Sequence, residues 1–393
     1  MKQLFFSLLS LLLCWASSEG QHIRKTDGSR YPADSLTLKV QDLMQKANVS
    51  GVALAVFNEN EAVFKQTFGL AGVPDKKALQ SHSVLYAASF AKMVFACIAL
   101  QYVEEGVLEL DKPLVEYLKK PLPAYKIKGW RRGYHDLKND PRYEKITARM
   151  CLTHTTGFPN WRWLEADKKL KFRFDPGSRY SYSGEGLYLL QFVLEQITGK
   201  DYETLSQEKI FKPLGMRQTS QIWQARFDTA ICYGHNAANE PYELMKWNEA
   251  SAGGSMSTTL DDYVTFYQAF IQGRLLTAKS MQEMTSLQIR IRSGSQFGPL
   301  AAVDVSDNDT ILLGYGLGVG VFQTPYGRAY FKEGHDDGWG HYSICFPDQQ
   351  IALIVMTNND NGESIFKELL AYAIGDTFTP WRWENYLPYE LKR

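Results

Sequence analysis

Between Val84 and Val103 the sequence reads VLYAASFAKMVFACIALQYV, and its one charged residue is Lys92. A helix this apolar has no solvent side and must be buried on most faces. Burying an ammonium costs free energy unless it is paired or neutralised. If Ser89 opens the helix, Lys92 falls in its first turn, where the helix dipole also opposes a positive charge. Two unfavourable placements of one residue point to a chemical purpose. A chain of 393 residues has room for the large core this helix needs, and for two lobes. The formal net charge is zero, so nothing supports a nucleic-acid partner, which would call for a basic patch.

At the amino terminus Lys2 precedes the apolar run Leu4 to Trp15, followed by small residues up to Gly20. That is the pattern of a signal peptide over residues 1–20, leaving a mature chain of 21–393 that is secreted across the inner membrane, into the periplasm. The run is too short for a membrane span. Leu13 is too bulky for lipoprotein cleavage before Cys14. Cys97, Cys151, Cys232 and Cys345 remain, far apart and partly in apolar helical contexts, which favours free buried thiols over disulfides. No Cys-x-x-Cys or His-Glu-x-x-His is present, so no metal site is expected, and no cofactor.

Residues 35–48 have helical spacing, and GVALAVFN (51–58) and AVFKQTFG (62–69) read as a hairpin. The buried helix runs from Ser89 to Gly106. The polar, aromatic segment 118–146 reads as an insertion or lid, or as a solvated loop. ITARMCLTH, GEGLYLLQFVLEQITG and TTLDDYVTFYQAFIQG read as helices, the last capped by Thr258 or Thr259. YGLGVGVF, HYSICF and IALIVMTN read as late strands. Strands at both chain ends with helices between them predict an α+β fold. In it an antiparallel sheet is flanked by helices, with an α/β lobe over about 30–88 and 220–380 and an inserted helical lobe over about 89–219.

Ser89 and Lys92, three residues apart on one helix face, are within side-chain reach. Burial and the dipole both lower a lysine pKa, so a neutral Lys92 can take the Ser89 proton and make the serine a nucleophile. The Ser89 backbone N–H, free at the helix start, can serve an oxyanion hole. The spacing recurs at Ser206–Lys209, in a polar run that reads as a solvated helix face, and at Ser364–Lys367, at a cap or loop. Only Ser89–Lys92 sits in an apolar setting. Taken alone, it also fits a partly exposed lysine whose stem lies along the surface.

ITARMCLTHTTGFPNW, DPGSRYSYSGEGLYLL, KIFKPLGM, SAGGSMSTTLDDYVTF, GYGLGVGVF and GHDDGWGHYSICFPDQQIALIVMTN follow one another in this order. As a set they resemble the serine β-lactamase-like family, which includes class C β-lactamases, D-Ala-D-Ala carboxypeptidases, D-aminopeptidases and esterases. The resemblance covers roughly residues 35 to 375. It implies a β-lactamase/transpeptidase-like fold, Ser89 as the acylated nucleophile and Lys92 as its partner. Tyr182, in Tyr-Ser-Gly, matches the tyrosine of the family's Tyr-x-Asn and would shuttle protons, provided nearby positive charge, here Lys92, favours its ionised form. His335 matches the Lys or His that opens the third motif, and a backbone N–H near Asp337 would complete the oxyanion hole.

Two departures from the family pattern stand out. Gly184 replaces the asparagine of Tyr-x-Asn, removing its amide. Asp337 stands where the third motif has glycine, unless the register slips by one to Gly338; a carboxylate there would repel a substrate carboxylate. Both weaken β-lactamase activity more than hydrolysis. Trp161 and Trp163 are candidates to shape the pocket. The leading expectation is an exported serine hydrolase acting on esters, D-amino-acid peptides or β-lactam-like substrates. The other is a catalytically weak protein on the same scaffold that binds cell-wall peptide.

Overall fold

The computed structural model describes residues 21–127 and 133–391. The expected signal peptide, with Cys14, and residues 128–132 of the 118–146 segment lie outside the described residues.

Helix α1 (Ala33–Ala47) buries Leu36, Val40 and Leu43, one apolar stripe at helical spacing, and ends at Asn48 in the left-handed region (φ 55°). Strands β1 (Gly51–Asn58) and β2 (Glu61–Gly72) follow, joined by Glu59 and Asn60. Both turn residues have positive φ, 55° and 61°, the pairing whose twist matches a two-residue hairpin. β3 (Lys77–Ala78) lies beyond it. Six later strands join the same sheet: β4 (Ile289–Arg290), β5 (Gly314–Tyr315), β6 (Gly320–Thr324), β7 (Gly327–Asp336), β8 (Trp339–Phe346) and β9 (Ile351–Thr357). Their order is β3-β2-β1-β9-β8-β7-β6-β5-β4, antiparallel throughout. The sheet is therefore closed at its centre by β1 and β9, from opposite ends of the chain, with Ile351 facing Asn58 and Thr357 facing Val52.

Between the hairpin and the late strands run α2 (Phe90–Glu104), α3 (Gly184–Thr198) and α4 (Leu260–Ile271); α5 (Phe366–Ile374) and α6 (Trp381–Glu384) follow the sheet. Side-chain alternation along β1 sorts two cores. Ala53, Ala55 and Phe57 pack with α2 and α4, while Val52, Leu54 and Val56 pack with α1 and α5. In α2 every residue except Gln101, Val103 and Glu104 is buried. Its Phe90 ring stacks on Tyr263 of α4 at 4.5 Å and 10°, a contact worth about 1 kcal/mol beyond its buried area. Thr259 caps α4, its hydroxyl accepting from Asp262 N–H at 3.1 Å.

Three segments differ from expectation. β7 is not legible from periodicity, because GRAYFKEGHD carries charges in its interior and lacks apolar alternation. ITARMCLTH forms only a short helix, Ala148–Leu152, and the chain then breaks at His154 (φ 56°). The described part of 118–146 is not a solvated loop. It is a string of 3₁₀ turns whose Tyr125 and Tyr134 pack on Phe192 of α3 at 5.1 and 5.7 Å. The four cysteines are free and buried. Among the described residues no helix is long and apolar enough to cross a membrane.

Candidate active site

The turn before α2 sets the geometry. Leu85–Tyr86 pairs with Ser257–Thr258, and Tyr86 OH donates to Gly254 O at 3.1 Å, pinning the turn to the 253–256 loop. Ala88 has φ 50°, a strained value for a residue with a Cβ. Ser89 is the N-cap residue of α2. Lys92, 1% exposed, extends back along the helix to Ser89 Oγ at 2.7 Å and donates to the Gly253 carbonyl. Burial first, and then the charge of Lys332, hold the Lys92 pKa well below its ordinary value. A neutral amine here can donate to Gly253 while its lone pair accepts the Ser89 proton.

Tyr182 lies on the other side of Lys92, whose ammonium nitrogen is 5.0 Å from the ring centre. The buried His154 ring stacks against Tyr182 at 4.3 Å and 29°, and His154 Nδ1 accepts from Ser183 N–H at 3.1 Å. Burial, followed by the Glu333 carboxylate, pushes the Tyr182 hydroxyl well above its usual pKa, against the pull of a hydrogen bond to Ser89. The resting tyrosine thus keeps its proton. The expected ionised form is outweighed because full desolvation and an adjacent carboxylate oppose a phenolate.

A second cation, not among the residues the sequence singles out, stands at the Tyr182 oxygen. Lys332 of β7, fully buried, donates to Tyr182 OH at 3.5 Å and to Glu333 Oε1 at 2.7 Å. His335, three residues on, has an exposed side chain bound to Glu363 at 2.6 Å, a bond that raises its pKa. Lys332-Glu333-Gly334 also has a glycine two residues after its first member, and its lysine, unlike His335, is within reach of the Tyr182 hydroxyl. A Cβ on Gly334 would stand 3.1 Å from Ala87 O, which shows how closely β7 approaches the serine turn.

Asp337 and Gly338 form the β7–β8 turn. Asp337 is exposed, and its N–H donates to Asp336 Oδ1 at 3.0 Å. Gly338 (φ 79°) is buried against Gly234, and its N–H donates to Asp360 Oδ1 at 2.6 Å. Both N–H groups are engaged by carboxylates, so neither is presented to the cleft. Gly184 also has a physical reason. A Cβ there would lie 2.1 Å from Trp161 Cη2, and one on Gly253 2.4 Å from the same atom. The Trp161 indole fills the space an asparagine side chain would need. It stacks on Trp163 at 4.7 Å and 12°. Between them Arg162 is clamped by the fully buried Glu185 of α3, with its backbone N–H and Nε on Oε1 at 2.9 Å each and Nη2 on Oε2 at 2.6 Å.

Ser89, Lys92, Trp161, Tyr182, His335 and Asp337 line one cleft of about 910 Å³, a size suited to a small-molecule or peptide ligand. Of the other two Ser–Lys pairs, Ser206 is buried rather than on a solvated face, its Oγ donating to Tyr202 O at 2.8 Å, while Lys209 pairs with Glu105. Ser364 Oγ donates to Asn361 O at 2.6 Å.

Residues 36–374 match the family described as Beta-lactamase. The chain belongs to the β-lactamase family. It is similar to the D-alanyl-D-alanine-carboxypeptidase/endopeptidase AmpH of Escherichia coli K12, 22% identical over 378 residues, 90% of this chain and 91% of that one. It is also similar to the lovastatin esterase of Penicillium rubens, 26% identical over 305 residues, 67% and 75% of the two chains. Among solved structures, a penicillin-binding protein homologue from Pyrococcus abyssi superposes with a TM-score of 0.69 at 18% identity, covering 89% of this chain and 79% of the other. The large antiparallel sheet with its helical layers is the fold of that family, and the chain is a serine hydrolase of the β-lactamase-related type.

Proposed function

We propose that the chain hydrolyses small esters or D-amino-acid peptides through an acyl-enzyme on Ser89. The observation that carries this reading is the approach of a buried Lys92 amine to Ser89 Oγ at 2.7 Å, in a cleft that also holds Tyr182. Two neighbouring groups are shifted in opposite directions, the lysine toward its neutral form and the tyrosine toward its protonated form. That is the division of a base from an acid. Lys92 takes the proton as Ser89 Oγ bonds to the substrate carbonyl carbon. The oxyanion meets the Ser89 N–H at the helix start and a strand N–H beside Gly334. Tyr182 then passes its proton to the leaving oxygen or nitrogen as that bond breaks, and recovers one through Lys92. Water, deprotonated along the same path, releases the acyl group from Ser89. Lys332 offsets negative charge on the Tyr182 oxygen while the proton is in transit.

The residues at 1–20 support export, to a compartment such as the periplasm, before the enzyme acts. A purely binding role is not favoured, because Lys92 is hydrogen-bonded to Ser89 and lies over the Tyr182 ring in one cleft. A fluorophosphonate probe followed by intact-mass measurement tests the reading. One adduct is expected on the wild type and none on Ser89→Ala; labelling that persists in Ser89→Ala, or that maps to Ser206 or Ser364, overturns it.

A further inference from the structure

The wall of the cleft beyond Tyr182 contains carboxylates that the hydrolytic reading does not use. Glu333 is 3% exposed, and its Oε1 accepts from Lys332 at 2.7 Å and from Gln296 Nε2 at 3.0 Å. Its Oε2 has no protein partner among the described residues. Glu384 of α6 is 2% exposed, and neither of its oxygens has a protein partner there. Both side chains line the same cleft as Ser89. Glu333 is one lysine ammonium away from the Tyr182 hydroxyl, so this wall lies beside the reacting atoms. Glu384 lies past residue 374, where the family match ends, so the wall is built partly from a segment outside the matched region.

A buried carboxylate with no partner is costly, and a charged wall in a cleft is a recognition device when a ligand supplies the opposite charge. Lys332 is hydrogen-bonded to Glu333 and reaches Glu384 only through space, leaving Glu384 without a bonded cation among the described residues. The rim has the same sign. Glu243, Asp336, Asp337 and Glu363 also line the cleft, against Lys92 and His335 as its only groups able to carry positive charge among the described lining residues. Lys92 is held toward neutrality, and His335 is already paired with Glu363. The aromatic rings of Phe297 and Tyr386, which line the same wall, present further surfaces that attract cations.

We propose that Glu333 and Glu384 form a subsite for an ammonium group carried by the substrate, so that the enzyme selects cationic esters or amides over neutral ones and rejects carboxylates. The proposal rests on Ser89 being the nucleophile of the same cleft. Without a cation beside it, Glu384 keeps its proton, because burial and Glu333 raise its pKa well above the usual carboxyl range. An arriving ammonium favours the ionised form and is held by both carboxylates.

The test uses three compounds of one shape, benzylammonium, benzyl alcohol and benzoate, as reversible inhibitors of p-nitrophenyl butyrate hydrolysis at neutral pH. In the wild type benzylammonium should bind more tightly than benzyl alcohol by about tenfold or more, with benzoate weakest. In Glu384→Gln the ammonium-to-alcohol ratio of inhibition constants should fall to within about threefold of unity. The ratio is read within one protein, so a change in overall activity does not disturb it. Equal or tighter binding of the alcohol or benzoate by the wild type overturns the proposal, whether or not the variant folds; so does an unchanged ratio in a folded Glu384→Gln. Thermal shifts of Ser89→Ala with the same compounds read the subsite without catalysis. Ester hydrolysis surviving in Ser89→Ala would remove the nucleophile, while the order of the thermal shifts would still decide the subsite.

Discussion

Lys332 Nζ lies 3.5 Å from the Tyr182 hydroxyl while Lys92 Nζ lies 5.0 Å from the centre of the same ring, so the tyrosine is bracketed by two lysines with different tasks. Lys92 touches Ser89, and Lys332 is tied to Glu333. One is placed to exchange protons and the other to hold charge.

Lys92 and Tyr182 should therefore act as one unit with Ser89. Replacing either, as Lys92→Ala or Tyr182→Phe, should slow acylation by about 100-fold or more, the scale of lost general-base help. The double replacement should cost far less than the product of the singles, because groups that share a proton do not contribute additively. Stopped-flow acylation with a chromogenic ester measures all four proteins; near-normal acylation in Lys92→Ala would remove the base.

Lys332→Met should move the acid limb of the pH–rate profile. The positive charge of Lys332 is the second cause, after burial, of the lowered Lys92 pKa. Only the neutral lysine accepts the Ser89 proton, so activity is lost as pH falls through that lowered pKa. Removing Lys332, which also leaves Glu333 without its cation, raises the Lys92 pKa, and the limb shifts to higher pH. A profile that drops in height without shifting would show that Lys332 serves packing alone.

Gly184→Asn should displace the Trp161 indole. An added Cβ would meet Trp161 Cη2 at 2.1 Å, far inside contact distance. The overpacking should cost about 1–3 kcal/mol in urea unfolding and shift tryptophan emission. Combining it with Trp161→Ala should recover most of the loss, since the two residues compete for one space. Loss that is additive in the double variant would place the strain elsewhere.

Arg162→Met should destabilise strongly, by about 3–5 kcal/mol, because Glu185 is left as a buried charge without its partner. Arg162→Met combined with Glu185→Leu should cost less than Arg162→Met alone. Chemical denaturation of the wild type and the two variants checks the order.

Neutral esters should turn over faster than nitrocefin, whose carboxylate must enter a cleft whose charged lining residues are mainly carboxylates. Asp337→Gly should narrow the gap only several-fold, because Asp337 is exposed on a turn and screened by solvent. Comparing kcat/KM for both substrates in both proteins decides it, and a preference for nitrocefin in the wild type would reverse the expectation.

The sequence by itself determined the elements whose physics is local. An apolar run with one lysine read as a helix buried on most faces, and the spacing of Ser89 and Lys92 on it put the two within reach. Alternating and β-branched runs gave the central strands, and the ordered set of short segments gave the family. What tertiary structure decided was the third partner. β7 reads as polar because Lys332, Glu333 and His335 interrupt its alternation. The lysine is tolerated at zero exposure only because Tyr182 and Glu333, from elsewhere in the chain and beside it, satisfy its ammonium. No periodicity announces such a residue; its stability depends on groups brought to it by the fold. The same holds for Gly184, whose reason is the Trp161 ring 23 positions earlier in the chain. It holds also for Glu384, which α6 places in the cleft wall beyond the matched segment. Local patterns record what a residue does to its own backbone and helix face. Charge and shape across a cleft are set by residues far apart in sequence, and only the folded chain brings them together.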